Sequence, residues 1–243
     1  MRKRTTGNRL AQCLAALVAV LGPVAIPAST ARAQVIINPG FSNSYGDWSA
    51  RWWQWLFAIP QPSNPNFAGV NADCARGQAG NVWFLGGSFG GEARRVCEAR
   101  IPQGKALFFP LITAVAYGDK DLNSLRVMAG TLIDLVDVQK LYCAIDGQKL
   151  SIDFSNFRAS SPTFSVLPPI YGSIVPPGLR RGPNPKDTLV ADGYWLLVPP
   201  LSPGPHSITY GAMTTNGFVV GVSYEFTIKP PEVIKPPTAW SQP

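Results

Sequence analysis

The segment S-Y-G-D-W-S-A-R-W-W-Q-W-L-F-A-I-P, from Ser44 to Pro60, holds four of the seven tryptophans of the chain. Ser44 and Asp47 have the S-x-x-D spacing of a capping box, which begins a helix. Pro60 ends it, because the residue before a proline is disfavoured in the helical conformation. At helical spacing the large apolar side chains share one broad face and leave little polar surface for water. The sequence therefore predicts a mostly buried helix near residues 45–58, over which much of the core closes.

The first 33 residues have the organisation of a secretory signal peptide. Residues 2–9 include four basic side chains, residues 10–26 are apolar, and the sequence A-R-A over residues 31–33 fits a cleavage site. We expect cleavage between Ala33 and Gln34. No later stretch is long and apolar enough for a transmembrane helix. The sequence thus predicts a secreted or periplasmic protein with no transmembrane segment in the mature chain.

Removal of this signal peptide changes the charge of the chain. Five of the 21 Lys and Arg residues and none of the 14 acidic residues lie within it, so 16 basic residues remain against 14 acids. The formal net charge of +7 therefore belongs mostly to the signal peptide. A nucleic-acid partner is not expected, because the mature chain keeps a basic excess of only two, too small to indicate phosphate binding.

Three cysteines follow the signal peptide. Cys74 and Cys97 flank one predicted β unit, and an oxidising compartment would allow them to form a disulfide bond. Cys143 falls on the apolar face of a predicted strand. We expect a Cys74–Cys97 disulfide and a buried, inert thiol at Cys143.

Apolar runs of strand length, separated by turns rich in proline and glycine, dominate the rest of the chain. Residues 121–138 change to helical spacing, which predicts a second helix. We expect a single mainly β domain over residues 34–229, folded as an antiparallel β-sandwich, immunoglobulin-like or jelly-roll-like, with accessory helices near 45–58 and 121–138. A proline-rich tail follows over residues 230–243.

Two predicted hairpins have a register that a structure can test. Asp146-Gly147 is a two-residue hairpin loop that places Ile145 opposite Gln148. A three-residue loop over residues 215–217, with Gly217 in the left-handed conformation, keeps the apolar residues of the later hairpin on one face. This second register pairs Ala212 with Val220, Tyr210 with Val222, Ile208 with Tyr224 and His206 with Phe226.

The chain carries the motifs W-W-Q-W-L-F-A-I-P, G-Q-A-G-N-V-W-F-L, K-A-L-F-F-P and D-G-Y-W-L-L-V-P-P-L-S-P-G-P-H. Together these motifs resemble a family of secreted bacterial proteins that has no assigned activity. The resemblance covers about residues 45–228 and implies export and a shared fold. It supplies no catalytic residues, so the functional hypotheses rest on the residues of this chain.

The glycine-rich sequence of residues 86–90 matches the G-x-S-x-G pattern of α/β-hydrolases, with Ser88 as the candidate nucleophile. Asp187 or Asp192 and then His206, the only histidine, follow in the Ser, Asp, His order of that fold. However, the predicted strands connect as hairpins, and too few elements precede Ser88 for such a fold. A serine hydrolase that uses Ser88, His206 and Asp192 is therefore an alternative, and no catalytic residue is favoured.

Metal and carboxylate chemistry have weaker support. One histidine, no C-x-x-C motif and no EF-hand spacing predict neither a metal site nor a cofactor. Pairs of carboxylates could hydrolyse glycosides if they lie at the right separation. The candidates are Asp73, Glu92, Asp119 and Asp121.

Aromatic side chains support the favoured hypothesis, an exported or surface-associated binding protein. Exposed aromatic rings on a secreted β-sandwich can stack on sugar rings. The candidate binding residues are Trp53, Phe57, Trp83, Tyr171 and Trp195. The same side chains could instead belong to the core. The expected partner is a polysaccharide or another cell-envelope component, and a structural or assembly protein without a small ligand is the remaining alternative.

Overall fold

Helix α1 spans Tyr45–Ala58 and begins at the predicted capping box. The Ser44 hydroxyl accepts a hydrogen bond from the Asp47 amide at 3.2 Å, and the Asp47 carboxylate accepts one from the Ser44 amide at 3.1 Å. At the other end, the buried Asn64 side chain donates to the carbonyls of Leu56 and Ile59. Side chains close in the sequence therefore fix both ends of the helix.

The computed structural model describes residues 44–67, 71–175 and 188–230, which belong to one compact unit. The predicted signal peptide, its cleavage site at Ala33 and Gln34, and the tail after residue 230 lie outside the described residues. Helices long and apolar enough to cross a membrane are absent from the described part of the chain.

Two β-sheets contain the strands of the described chain. The larger comprises β1 (Asn71–Ala72), β3 (Gly91–Cys97), β4 (Ile101–Pro102), β6 (Tyr142–Ile145), β7 (Gln148–Lys149), β10 (Gly204–Met213) and β11 (Val219–Lys229). The smaller comprises β2 (Val82–Phe84), β5 (Ala106–Tyr117), β8 (Arg158–Ser160) and β9 (Leu189–Val198). Their orders are β1-β3-β11-β10-β6-β7, with β4 also paired to β11, and β2-β5-β9-β8. The predicted mainly β sandwich with two helices is confirmed, and both sheets contain parallel pairs as well as antiparallel ones.

Strands β5 and β9 are buried on both faces, because the smaller sheet lies between α1 and the larger sheet. Phe109 of β5 stacks on Tyr210 of β10, with ring centroids 4.3 Å apart, in the core between the sheets. Phe108 points the other way and stacks on Trp195 at 5.2 Å, in the core beneath α1. Trp52 of α1 contacts the same Trp195 ring edge-on at 5.5 Å. The tryptophan-rich helix thus closes one of two apolar layers.

Both predicted hairpin registers are confirmed. Ile145 pairs with Gln148 across the Asp146-Gly147 turn. Gly217 has a φ of +87°, the left-handed conformation that the three-residue loop needs. The pairs that follow are Ala212 with Val220, Tyr210 with Val222, Ile208 with Tyr224 and His206 with Phe226.

The second helix, α2, spans Leu122–Ile133 and ends earlier than predicted. Asp134 caps its last turn, and the chain then pairs with the end of β10 through a bridge between Val136 and Thr214. This pairing takes the backbone groups that a longer helix would have used. Helical spacing alone could not reveal it, because Thr214 is far away in the sequence.

The predicted disulfide and the predicted burial of Cys143 are confirmed. Cys74 and Cys97 form a disulfide bond with Cα atoms 5.5 Å apart. Cys143 is a free thiol with 1% of its surface exposed. Burial raises the pKa of this thiol to about 12, so the uncharged form predominates at neutral pH in the folded protein.

Candidate functional site

Ser88 and His206 lie at opposite ends of the larger sheet. Ser88 precedes β3, whose first residue Gly91 pairs with Val220 of β11, whereas His206 pairs with Phe226 of the same strand. Six residues of β11 separate the two pairings, which corresponds to about 20 Å at the usual rise of a strand. His206 therefore cannot act as a general base for the Ser88 hydroxyl.

Local hydrogen bonds occupy both side chains. Ser88 Oγ donates to the Gly90 carbonyl at 2.8 Å and accepts from the Gly90 amide at 3.1 Å, as serines in turns do. The two ring nitrogens of His206 lie 2.8 Å from the Asp146 carboxylate and 2.8 Å from the Ser202 carbonyl. These contacts fit a structural role for both residues, at the glycine-rich turn and at the start of β10.

Asp192, the third member of the alternative triad, lies in the smaller sheet. Its carboxylate accepts hydrogen bonds from Arg158 Nη2 at 2.7 Å and from the Gly193 amide at 2.8 Å. The same Arg158 nitrogen also donates to Asp134 at the end of α2, at 2.7 Å. Arg158 thus ties α2 to the sheet. The structure does not bring Asp192, His206 and Ser88 together, so they form no catalytic triad.

Four of the five predicted binding aromatics are core residues. The exposed fractions are 5% for Trp53, 3% for Phe57, 6% for Trp83 and 0% for Trp195. Helical spacing placed Trp53 and Phe57 at the margin of α1, but the smaller sheet covers that margin, and Trp53 donates a hydrogen bond to β5. Only Tyr171, 84% exposed, could stack on a sugar ring. The expected exposed platform is not formed by the other four.

A cleft of about 370 Å³ borders the glycine-rich turn and contains several of the residues discussed above. Trp53 and Phe57 of α1 line one side of it, and Tyr210, Phe218 and residues 220–222 of β11 line the other. No charged side chain is among the described residues that line the cleft. Its size is within the range of small-molecule sites, which are usually mostly apolar with a few polar groups.

The open edge of β5 runs along this cleft. β2 pairs only with residues 106–108 of β5, whereas the cleft is lined by the consecutive residues 110–115. Neighbouring residues of a strand point to opposite faces, so a cleft that meets all of them lies along the strand edge. Pro110 and a bulge after it fit an edge position. Edge peptide groups offer hydrogen-bond donors and acceptors to a ligand.

Three consecutive carbonyl groups anchor the glycine-rich turn to the core. The Leu85 carbonyl accepts from Trp52 Nε1 at 2.8 Å, that of Gly86 from the Tyr210 hydroxyl at 2.6 Å, and that of Gly87 from Arg95 Nη2 at 2.8 Å. A Cβ atom on Gly86 would lie 2.6 Å from Asn66 Oδ1 and 3.2 Å from both Pro65 Cβ and the Tyr224 hydroxyl, so a larger residue would have to displace these neighbours. The turn is therefore a rigid wall of the cleft.

Exposed phenylalanines lie at the cleft, because Phe89 and Phe218 line it and Phe67 packs on Phe89. Phe67 and Phe89 are 47% and 51% exposed, and their ring centroids lie 5.0 Å apart. Phe218 is 36% exposed and packs beside Gly90, which belongs to the same glycine-rich turn as Phe89. None of these three residues was among the candidates predicted from the sequence. The glycine-rich turn could have indicated that Phe89 is exposed. Its G-x-S-x-G pattern instead led to the prediction of Ser88 as a nucleophile.

Comparisons of the chain with protein-family models, with curated proteins and with solved structures found no match. Among the described residues, no group of three or more His, Cys, Asp or Glu side chains could hold a metal ion.

Proposed function

We propose that the protein is an exported binding protein that holds a small, mainly apolar molecule in the cleft beside the glycine-rich turn. The observation that carries this proposal is the cleft itself, which is lined by Trp53, Phe57 and Phe218 and by uncharged residues throughout. Burial of apolar ligand surface there contributes about 25 cal/mol per Å². Export is inferred from the predicted signal peptide and is supported by the Cys74–Cys97 disulfide.

The walls of the cleft support binding because they are already ordered. The Trp53 indole donates to Thr113 Oγ1 at 3.2 Å, and that hydroxyl donates to the Asp192 carbonyl at 2.9 Å. The opposite wall is held by the Tyr210 hydroxyl at the Gly86 carbonyl. A ligand that enters a preorganised site loses less free energy to ordering of the protein than one that must order its site.

We do not extend the proposal to polysaccharides. Stacking on sugar rings needs exposed aromatic faces. The buried tryptophans among the described residues are Trp52, Trp53, Trp55, Trp83 and Trp195. The exposed phenylalanines at the cleft extend its apolar surface, which fits an apolar ligand better than a sugar.

The test is a fluorescence titration of the exported protein with N-phenyl-1-naphthylamine, a neutral apolar probe that emits strongly when it leaves water. We expect saturable binding of one probe per chain. Ala114→Phe, which adds a phenyl ring to a residue that lines the cleft, should abolish binding.

The matched control is Ala144→Phe, the same exchange on β6, away from the cleft and similarly half-buried. It should bind the probe as the wild type does. Non-saturable binding by the wild type, or equal binding by Ala114→Phe and the wild type, would show that the cleft is not the site.

A further inference from the structure

We infer that the ligand of this cleft is an amphipathic acid, whose apolar body lies between Trp53 and Phe218 and whose carboxylate lies at the glycine-rich turn in front of Arg95. This inference rests on the proposed binding function of the cleft. It is carried by a buried positive charge without a counterion and by a run of backbone amides without acceptors.

Arg95 of β3 is completely buried, with 0% of its surface exposed. Its Nε donates to the Pro65 carbonyl, and its Nη2 donates to the carbonyls of Asn66 and Gly87. Its guanidinium carbon lies 5.5 Å from the centre of the Tyr224 ring. These contacts satisfy part of the guanidinium, but its Nη1 has no hydrogen-bond partner. No carboxylate of the described residues forms an ion pair with it.

An arginine cannot release its proton to escape such a site, so the charge stays. Buried charges in proteins are usually paired, because removal from water is costly. The structural role of Arg95 in holding the turn explains the three bonded carbonyls. It does not explain why the positive charge has no counterion. A ligand that brings a negative charge would supply one.

The guanidinium lies directly behind the wall of the cleft. Asn66 and Gly87, whose carbonyls it binds, are both cleft-lining residues. The backbone amides of Gly87, Ser88 and Phe89, which belong to the same wall, have no hydrogen-bond acceptor among the described residues. Free backbone amides attract anions. The low-dielectric surroundings strengthen the attraction between such an anion and Arg95.

The carboxamide of Asn66 completes this end of the cleft. Its Oδ1 is buried and has no partner. The Nδ2 group at the other side of the carboxamide is the donor that Asn66 can offer to a carboxylate. The described cleft is therefore apolar along most of its length, and its end at the glycine-rich turn is selective for an acidic group.

The experiment compares decanoic acid with 1-decanol as competitors of bound N-phenyl-1-naphthylamine at pH 8, where the acid is ionised. The two molecules share their chain length and differ in charge. We expect the acid to displace the probe at a concentration at least about tenfold lower, equivalent to about 1.4 kcal/mol. Equal displacement, or better displacement by the alcohol, would overturn the inference and leave the proposed function in place. Absence of probe binding would instead refute the proposed function.

Two variants locate the source of the preference. Arg95→Met removes the buried charge and keeps an apolar side chain of similar length, so the ratio of the decanol to the decanoic acid concentration that displaces the probe should fall to about one. Arg94→Met is the matched control, because its side chain is 55% exposed and pairs with Glu225 on the surface. Both variants change the net charge equally. If Arg94→Met loses the preference as fully as Arg95→Met, the overall charge is responsible and the inference is wrong. If Arg95→Met does not fold, the comparison of acid and alcohol on the wild-type protein decides.

Discussion

The buried thiol of Cys143 should react only when the protein unfolds. Cys74 and Cys97 are joined to each other, so Cys143 is the single free thiol among the described residues. Burial raises its pKa from 9.0 to about 12, and each unit lowers the thiolate fraction tenfold. At pH 8 the folded protein should therefore react with iodoacetamide at least about a thousandfold more slowly than the unfolded chain, because the thiolate is the reactive form.

The assay is mass spectrometry of the exported protein after timed treatment with iodoacetamide, in buffer and in concentrated urea. Ala144→Cys is the control. Ala144 follows Cys143 on the same strand, but Cys143 faces the core whereas Ala144 is partly exposed. It should add one rapidly labelled thiol without changing the rate at Cys143. Native labelling of Cys143 within about tenfold of the unfolded rate would refute the burial on which this reasoning rests.

The same burial makes the free energy of unfolding depend on alkaline pH. The folded-state pKa of Cys143 lies above its unfolded value, and burial also raises the pKa of Tyr210 and Tyr224. The folded protein then keeps protons that the unfolded chain releases. This contribution to the free energy of unfolding is fully present below about pH 9 and is lost as the pH rises toward 12. A rise of about three pH units in the pKa of Cys143 corresponds to about 4 kcal/mol. Urea denaturation at pH 8, 9, 10 and 11 should show this decline, and a constant free energy of unfolding would contradict it.

Three substitutions test other parts of the fold by urea denaturation. Cys97→Ser removes the disulfide bond to Cys74, which closes a loop with a sequence separation of 23 residues. It should lower the free energy of unfolding by about 3 kcal/mol. An unchanged midpoint of denaturation would contradict the disulfide. Arg158→Met leaves the buried Asp192 carboxylate without its cation and should cost about 3 kcal/mol, whereas a loss below about 1 kcal/mol would show that this ion pair is not structural. Gly217→Ala should cost about 1 kcal/mol, because an added Cβ meets no neighbour within 4 Å and only the left-handed backbone is strained; a gain in stability would contradict the assigned turn.

Local patterns predicted the parts of the fold that depend on residues close in the sequence. The capping box of Ser44 and Asp47 fixed the start of α1, and the need to keep apolar residues on one face fixed the register around Gly217. The disulfide followed from Cys74 and Cys97 flanking one β unit. In each case the partners lie within a turn, a hairpin or one short loop.

Contacts between distant segments could not be predicted. The parallel pairing of β3 with β11 joins Arg95 to Tyr224, and no local pattern marks such a partner. For the same reason the periodicity of α1 could not show that β5 covers Trp53. The sequence named Trp53, Phe57 and Ser88 as candidates, and all three line the cleft. Their roles differ from those predicted. The two aromatics belong to the core and border the cleft, and Ser88 belongs to its rigid turn.

Arg95 shows why the candidate site itself was not recognised. In the sequence it is one of two adjacent arginines on an ordinary strand. Burial distinguishes them, since Arg94 faces solvent and Arg95 lies beneath the glycine-rich turn. The alternation of a strand predicts that neighbours face opposite sides, but only the partner strands show which side is the core.

The most direct test of this account is a structure of the protein determined with decanoic acid bound. The account predicts the alkyl chain in the cleft between Trp53 and Phe218, with the carboxylate at the amides of Gly87 to Phe89 on the side of Arg95. An empty cleft with the acid bound elsewhere would contradict the proposed binding site. An alkyl chain in the cleft with its carboxylate pointing out to solvent would contradict the role of Arg95.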